Sequence, residues 1–204
     1  YFFWSDWGSA AAIERSSLDG SNRVKLVMNN TKWPGGVSLD TRQRLVYWID
    51  GYHDVISCTD YDGRNRRLIF EYNSLSVQSK HVFGFDLDIS GDYVYFSAWD
   101  TNAIYEVSIR SGILERNISV PTIRSNRGVM GLRVIHRAKQ PAGSSNCGND
   151  NGGCEQLCFH KAPSGASCGC RWGMKLAING KACEDVVPKE NIRLQGPSSS
   201  GGTG

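Results

Sequence analysis

Six cysteines fall between Cys147 and Cys183, spaced Cys147-x6-Cys154-x3-Cys158-x9-Cys168-x1-Cys170-x12-Cys183. Clustered thiols serve two chemistries, oxidation to disulfides and tetrahedral ligation of zinc. Zinc favours close Cys pairs separated by a longer stretch, and Cys168-Gly169-Cys170 is too tight for such a knuckle. A segment of about 40 residues also has too little core to fold unaided. Disulfides are therefore expected, and they place the chain in an oxidising compartment. Spacing alone does not choose among the many pairings that six cysteines permit. Cys58 stands alone ahead of this cluster. It reads as a buried free thiol, with an intermolecular bridge as the sharper alternative.

Other reactive groups form no constellation. His53, His81, His136 and His160 show no metal-ligand spacing. Neither a Gly-x-Ser-x-Gly elbow nor a phosphate-cradling loop occurs. The acidic residues sit mostly in turns, where they accept backbone hydrogen bonds. No metal, cofactor or enzymatic activity is expected. A net charge of +3, with 21% charged residues, argues for neither nucleic acid nor a membrane surface. No run reaches the roughly 20 apolar residues of a membrane helix, so direct membrane insertion is not expected. Two acceptor sequons, Asn29-Asn30-Thr31 and Asn117-Ile118-Ser119, mark Asn29 and Asn117 as glycosylation candidates.

Residues 1–138 repeat. Aromatic anchors recur at Phe3-Trp4-Ser5-Asp6-Trp7, Tyr47-Trp48-Ile49-Asp50-Gly51 and Tyr95-Phe96-Ser97-Ala98-Trp99. Each is followed by a strand opening at Ile13, Ile56 or Ile104, then a turn ending at Gly20, Gly63 or Gly112. A third strand follows, as at Val24 and Arg67. A fourth opens at Gly36, Gly84 and Gly131. Four short strands per unit, with little helical periodicity, match the size of a propeller blade. One such sheet cannot cover both its faces, whereas stacking around an axis covers them and leaves only short edges.

The anchors resemble the YWTD repeat of the low-density lipoprotein receptor family. So do Ile13-x-Arg15-x-x-Leu18-Asp19-Gly20-Ser21-x-Arg23 and Pro34-x-Gly36-x-x-x-Asp40. His136-Arg137-x-x-Gln140-Pro141, leading to Asn151-Gly152-Gly153-Cys154, resembles that family's junction between propeller and EGF-like module. The resemblance implies an all-β chain: part of a six-bladed YWTD β-propeller, about three blades, plus a small disulfide-rich EGF-like domain. It implies the pairs Cys147 with Cys158, Cys154 with Cys168, and Cys170 with Cys183. The segment before Cys147 lacks the acidic residues of calcium-binding EGF modules, so no calcium is expected. The expected organisation is residues 1–138 as the C-terminal half of the propeller, 139–145 as linker, 146–185 as EGF-like module and 186–204 as flexible tail. Three departures stand out. Ala98 replaces the motif's Asp, so that junction must be held otherwise. Val82 stands where the family has Pro, and Cys58 and Glu106 take the place of Arg15.

The resemblance points to an extracellular ligand-binding segment of a cell-surface receptor used in endocytosis or signalling. Its partners would be extracellular proteins and the remaining blades of the same receptor. Such a receptor lies on the extracellular side of the plasma membrane and enters endosomes on internalisation. A nidogen-like matrix adhesion protein is the alternative. Ligand-face candidates come from the segments flanking the strands: Trp7, Trp33, Tyr52, Asp54, His81, Phe83, Trp99, Asp100 and Met130. Aromatic rims give large contact area at little entropic cost, Asp54 and Asp100 would favour basic partners, and His81 would allow acid-triggered release. Trp4, Trp48, Phe96 and the anchor tyrosines are assigned to the core. Trp172 is a candidate contact of the EGF-like module.

Overall fold

The computed structural model describes residues 1–73, 75–77, 80–81, 83–121, 128–139, 143–148, 150–161 and 165–186. Val82 and residues 187–204 of the expected tail lie outside that set. Two compact units divide the chain, Tyr1–Gly143 and Ser144–Gly204.

The first unit holds three antiparallel meanders. One has three strands: β1 (Phe2–Asp6), β2 (Ala12–Ser16) and β3 (Val24–Val27). The next has four: β4 (Pro34–Asp40), β5 (Leu45–Asp50), β6 (Val55–Asp60) and β7 (Arg67–Glu71). A short hairpin, β8 (Ser76–Val77) and β9 (Lys80–His81), precedes the last meander. That one comprises β10 (Gly84–Ser90), β11 (Tyr93–Ala98), β12 (Ala103–Ser108) and β13 (Leu114–Ser119). The aromatic anchors are β1, β5 and β11.

The sheets are phased one strand away from the sequence repeat. The strand opening at Gly36, expected to close the first unit, is β4, and it pairs with β5 instead. The expected strand at Gly131 to Val134 is not a strand. Its Leu132 and Val134 amides donate to the carboxylates of Asp86 and Asp88 on β10.

Turn length also moves the register. Ser38 faces Tyr47, whereas Asp88 faces Tyr95. The β4–β5 hairpin turns over residues 41–44. The β10–β11 hairpin turns over Gly91-Asp92 alone, with Gly91 at φ 59°, a conformation glycine adopts without strain. The tighter turn slides β10 by two residues. Asp86, not Gly84, therefore lies beside Gly36: a Cβ at Gly36 would sit 1.9 Å from Asp86 Oδ1.

Apolar residues fill the space between sheets. Ile13, Val27, Val46 and Trp48 join the first meander to the second. Tyr47, Ile49, Tyr72, Leu87, Phe96 and Tyr105 are among those joining the second to the third. Trp48, Phe96 and Tyr47 are fully buried, as expected of anchor residues. Tyr95 and Trp4, also assigned to the core, are only half-buried. The Trp4 ring stacks on exposed Phe2 and carries the Arg23 guanidinium, because β1 has a strand partner on one side only. Polar clamps reinforce the joints. Arg15 donates to the Tyr61 carbonyl at 2.7 Å, and Arg66 to the carbonyls of Asn29 and Asn30. Ser38 donates to Asp88 across the second joint.

In the second unit the sulfurs pair Cys147–Cys158, Cys154–Cys168 and Cys170–Cys183. Two small hairpins surround them, β14 (Leu157–His160) with β15 (Ala166–Gly169) and β16 (Met174–Leu176) with β17 (Cys183–Asp185). Trp172 is fully exposed. Cys58 is a buried free thiol, and burial raises its pKa.

Candidate ligand-binding face

The first unit contains a cavity of about 670 Å³ walled by Trp7, Trp33, Phe83, Phe85 and Trp99, with Asp86 at its edge. Its walls come from all three meanders. Trp7 follows β1, Trp33 precedes β4, and the other three aromatics flank or belong to β10 and β11. All five rings are substantially exposed, from 36% for Phe83 and Phe85 to 64% for Trp7. Exposed aromatics converging on one concavity mark a binding surface more than a packing defect.

The backbone around the cavity explains why the rings converge. Gly35 and Gly36 let β4 approach the next sheet: a Cβ at Gly35 would lie 2.2 Å from the Phe85 carbonyl oxygen. Phe85 is the extra residue of a β-bulge between Gly84 and Asp86. Bulges re-aim side chains, and this one lays the Phe85 ring parallel to Trp99, centroids 6.4 Å apart. Phe83 meets Trp99 edge-on at 6.2 Å. Tyr52 meets Trp33 edge-on at 5.3 Å, with the Lys32 ammonium 3.5 Å from the tyrosine ring centre.

Asp50 holds one side of this rim. Its fully buried carboxylate accepts the amides of Lys32, Trp33, Tyr52 and His53, and lies 3.2 Å from His53 Nδ1. Burial pushes its pKa up, but the hydrogen bonds from Lys32, His53, Tyr52 and Trp33 outweigh that and hold it below the ordinary value. Ala98 occupies the corresponding place in β11, and the function moves outward. Asp100 Oδ1 accepts the Phe83 amide at 3.1 Å. The Gly128 and Val129 amides meanwhile donate to the carbonyls of Trp99 and Thr101. Gly128 is required there, since its Cβ would lie 2.1 Å from the Thr101 oxygen.

Of the sequence candidates, the structure brings Trp7, Trp33, Phe83 and Trp99 into one wall and sets Tyr52 beside them. Asp100 orients Phe83. Asp54 sits on the β5–β6 turn at φ 57°, where its carbonyl accepts the Tyr72 amide, and it does not line the cavity. Met130 is exposed but is no part of the wall. The His81 side chain lies outside the described residues. Asn29 is exposed in a loop and Asn117 on β13. Phe85 is the wall residue that sequence reasoning missed. Spacing aligns it with Val37 inside a strand, and only the register slip makes it a rim residue.

Residues 1–41 match the family described as low-density lipoprotein receptor repeat class B. Residues 147–183 match the coagulation factor Xa inhibitory site family. The chain is 33% identical to the vitellogenin receptor Yl of Drosophila melanogaster over 93% of its length, covering 9% of that protein. It is 36% identical to low-density lipoprotein receptor-related protein 4 of Homo sapiens over 85% of its length, covering 8% of that protein. It thus spans less than a tenth of each. Among solved structures, one of a nidogen/laminin complex superposes with a TM-score of 0.53 at 21% identity, covering 63% of this chain and 45% of the matched chain.

Proposed function

We propose that this chain, which carries a class B repeat and is homologous to low-density lipoprotein receptor-related proteins, is a ligand-binding ectodomain segment of such a cell-surface receptor. The observation carrying the proposal is the aromatic cavity between the three meanders. An extracellular protein docks a loop on the rim and places an apolar side chain among Trp33, Phe83, Phe85 and Trp99. Full burial of one Leu or Ile side chain contributes about 1.5–3 kcal/mol. That is enough to make the cavity a hot spot, while surrounding contacts exclude water. Recognition of this kind serves uptake or co-reception, with endosomal passage as one route.

In this reading residues 1–138 are blades of a larger ring. The first meander has three strands where the others have four, and residues 131–134 run beside β10 without a strand partner. Strands from elsewhere in the receptor fill both places. The nidogen likeness supports the fold alone, so the receptor reading rests on the sequence relatives.

One of these relatives is named for vitellogenin, and vitellogenin is the first ligand to test. Purified vitellogenin is flowed over the longest secreted form that carries this segment. Trp33→Ala and Trp99→Ala should each weaken binding at least about tenfold, the loss of one well-packed aromatic contact. Unchanged affinity in both variants would remove the cavity from ligand binding.

A further inference from the structure

The outer strands of the three meanders have no second strand partner among the described residues and so present open edges, which are not equally protected. An open edge presents unpaired N–H and C=O groups to any other strand, and proteins blunt it with shortness, charge or covering groups. β3 has four residues and carries Lys25. β7 carries Arg67 and Glu71 at its ends, and Arg66 just before it is anchored to the neighbouring meander. β13 has six residues, Leu114–Ser119. Arg116 turns both guanidinium donors onto Glu106 at 2.8 and 2.6 Å, so its charge is neutralised within its own sheet. Ile113 and Ile118 are exposed at 58% and 38%. The longest of the three edges therefore keeps its charges, Glu115 and the paired Arg116, in its first half and leaves Asn117–Ser119 uncharged. In the middle of it stands Asn117, exposed and opening the sequon Asn117-Ile118-Ser119.

We propose that Asn117 carries an N-linked oligosaccharide whose work is to cover the β13 edge against intermolecular strand pairing. The donor is a diphosphate-linked oligosaccharide. The Asn117 Nδ2–sugar C1 bond forms, the C1–oxygen bond to the diphosphate breaks, the amide loses one proton and the diphosphate leaves. A branched sugar on a mid-strand side chain leaves no room for a second strand along the edge. The other sequon, at Asn29, lies in a loop and guards no strand, so its glycan makes an internal control.

The test uses the longest secreted form that carries this segment, made in a glycosylating host. Peptide mass spectrometry reads occupancy at residue 117, and sedimentation reads association. Wild type should be glycosylated at Asn117 and monomeric. Asn117→Gln should lose the sugar and shift to oligomers, Asn29→Gln should stay monomeric, and Asn117→Lys should stay monomeric without a sugar, since an edge charge substitutes for it. An unmodified Asn117 would overturn the proposal. So would a monomeric Asn117→Gln, equal association of Asn29→Gln, or an Asn117→Lys that associates like Asn117→Gln.

Discussion

Replacing Asp50 by Asn keeps the shape of the side chain and removes the charge. Asp50 Oδ1 accepts the Trp33, Tyr52 and His53 amides, and Oδ2 accepts the Lys32 amide at 2.9 Å beside His53 Nδ1. An amide oxygen can keep the first set, but the NH2 group then faces the Lys32 N–H. One part-buried donor loses its acceptor, costing about 1–3 kcal/mol, and the remaining bonds lose their charge assistance. The total is roughly 2–4 kcal/mol. With about 2–8 °C lost per kcal/mol in domains of this size range, the midpoint should fall by on the order of 10 °C. Asp100→Asn, at an exposed carboxylate with one amide partner among the described residues, should cost less than about 1 kcal/mol. Thermal unfolding followed by circular dichroism compares the two. The pH dependence adds a check. The folded Asp50 pKa lies below its unfolded value, so its stabilisation is present above the unfolded pKa and is lost as pH falls through the folded one. The gap between wild type and Asp50→Asn should therefore persist at pH 5.5 and close only below about pH 4. Trp33 and Tyr52 both hang on this carboxylate, so ligand affinity should fall as well. An Asp50→Asn midpoint no lower than that of Asp100→Asn would refute this account of the rim.

Two further outcomes follow from the same structure, and a third, at His81, from the sequence alone. Gly36→Ala should destabilise the first unit by about 1–3 kcal/mol, because the new methyl group meets Asp86 and the Leu87 amide; an unchanged denaturant midpoint would argue against the slipped register. Replacing Cys170 and Cys183 together with Ser should cost the second unit about 2–5 kcal/mol, read as loss of amide protection at 147–183 with the Tyr1–Gly143 unit unaffected. His81→Ala should slow the ligand off-rate measured at acidic pH relative to wild type, and an unchanged pH dependence would exclude His81 as the release group.

Much of this was readable from residues alone, for identifiable reasons. The blades are visible because aromatic anchors and glycine turns recur at nearly constant spacing, and each recurrence does the same packing work. Trp7, Trp33, Phe83 and Trp99 are visible as rim candidates because they flank strands instead of alternating within them. Strand partnership is less legible. A strand entered from a long connection carries no mark of which neighbour it joins, so β4 read as the end of one unit when it begins the next. The slip of β10 depends on a turn shortened to Gly91-Asp92, compensated elsewhere in an unchanged repeat length. Phe85 was lost with that slip. The role of Asp100 was hidden for another reason: a carboxylate displaced by two residues no longer fits a motif, although its oxygen still finds the same kind of amide.

The cavity's five aromatic walls lie on or beside strands of three different sheets, none of which can form it alone. Its width is thus a measure of how closely the sheets are seated. A ring left open, sprung by a lost clamp or pulled apart under mechanical load would spread these walls before any single sheet unravels. On the proposed reading, ligand occupancy would then report how well the sheets are seated, and a ligand once held would brace the joints against opening.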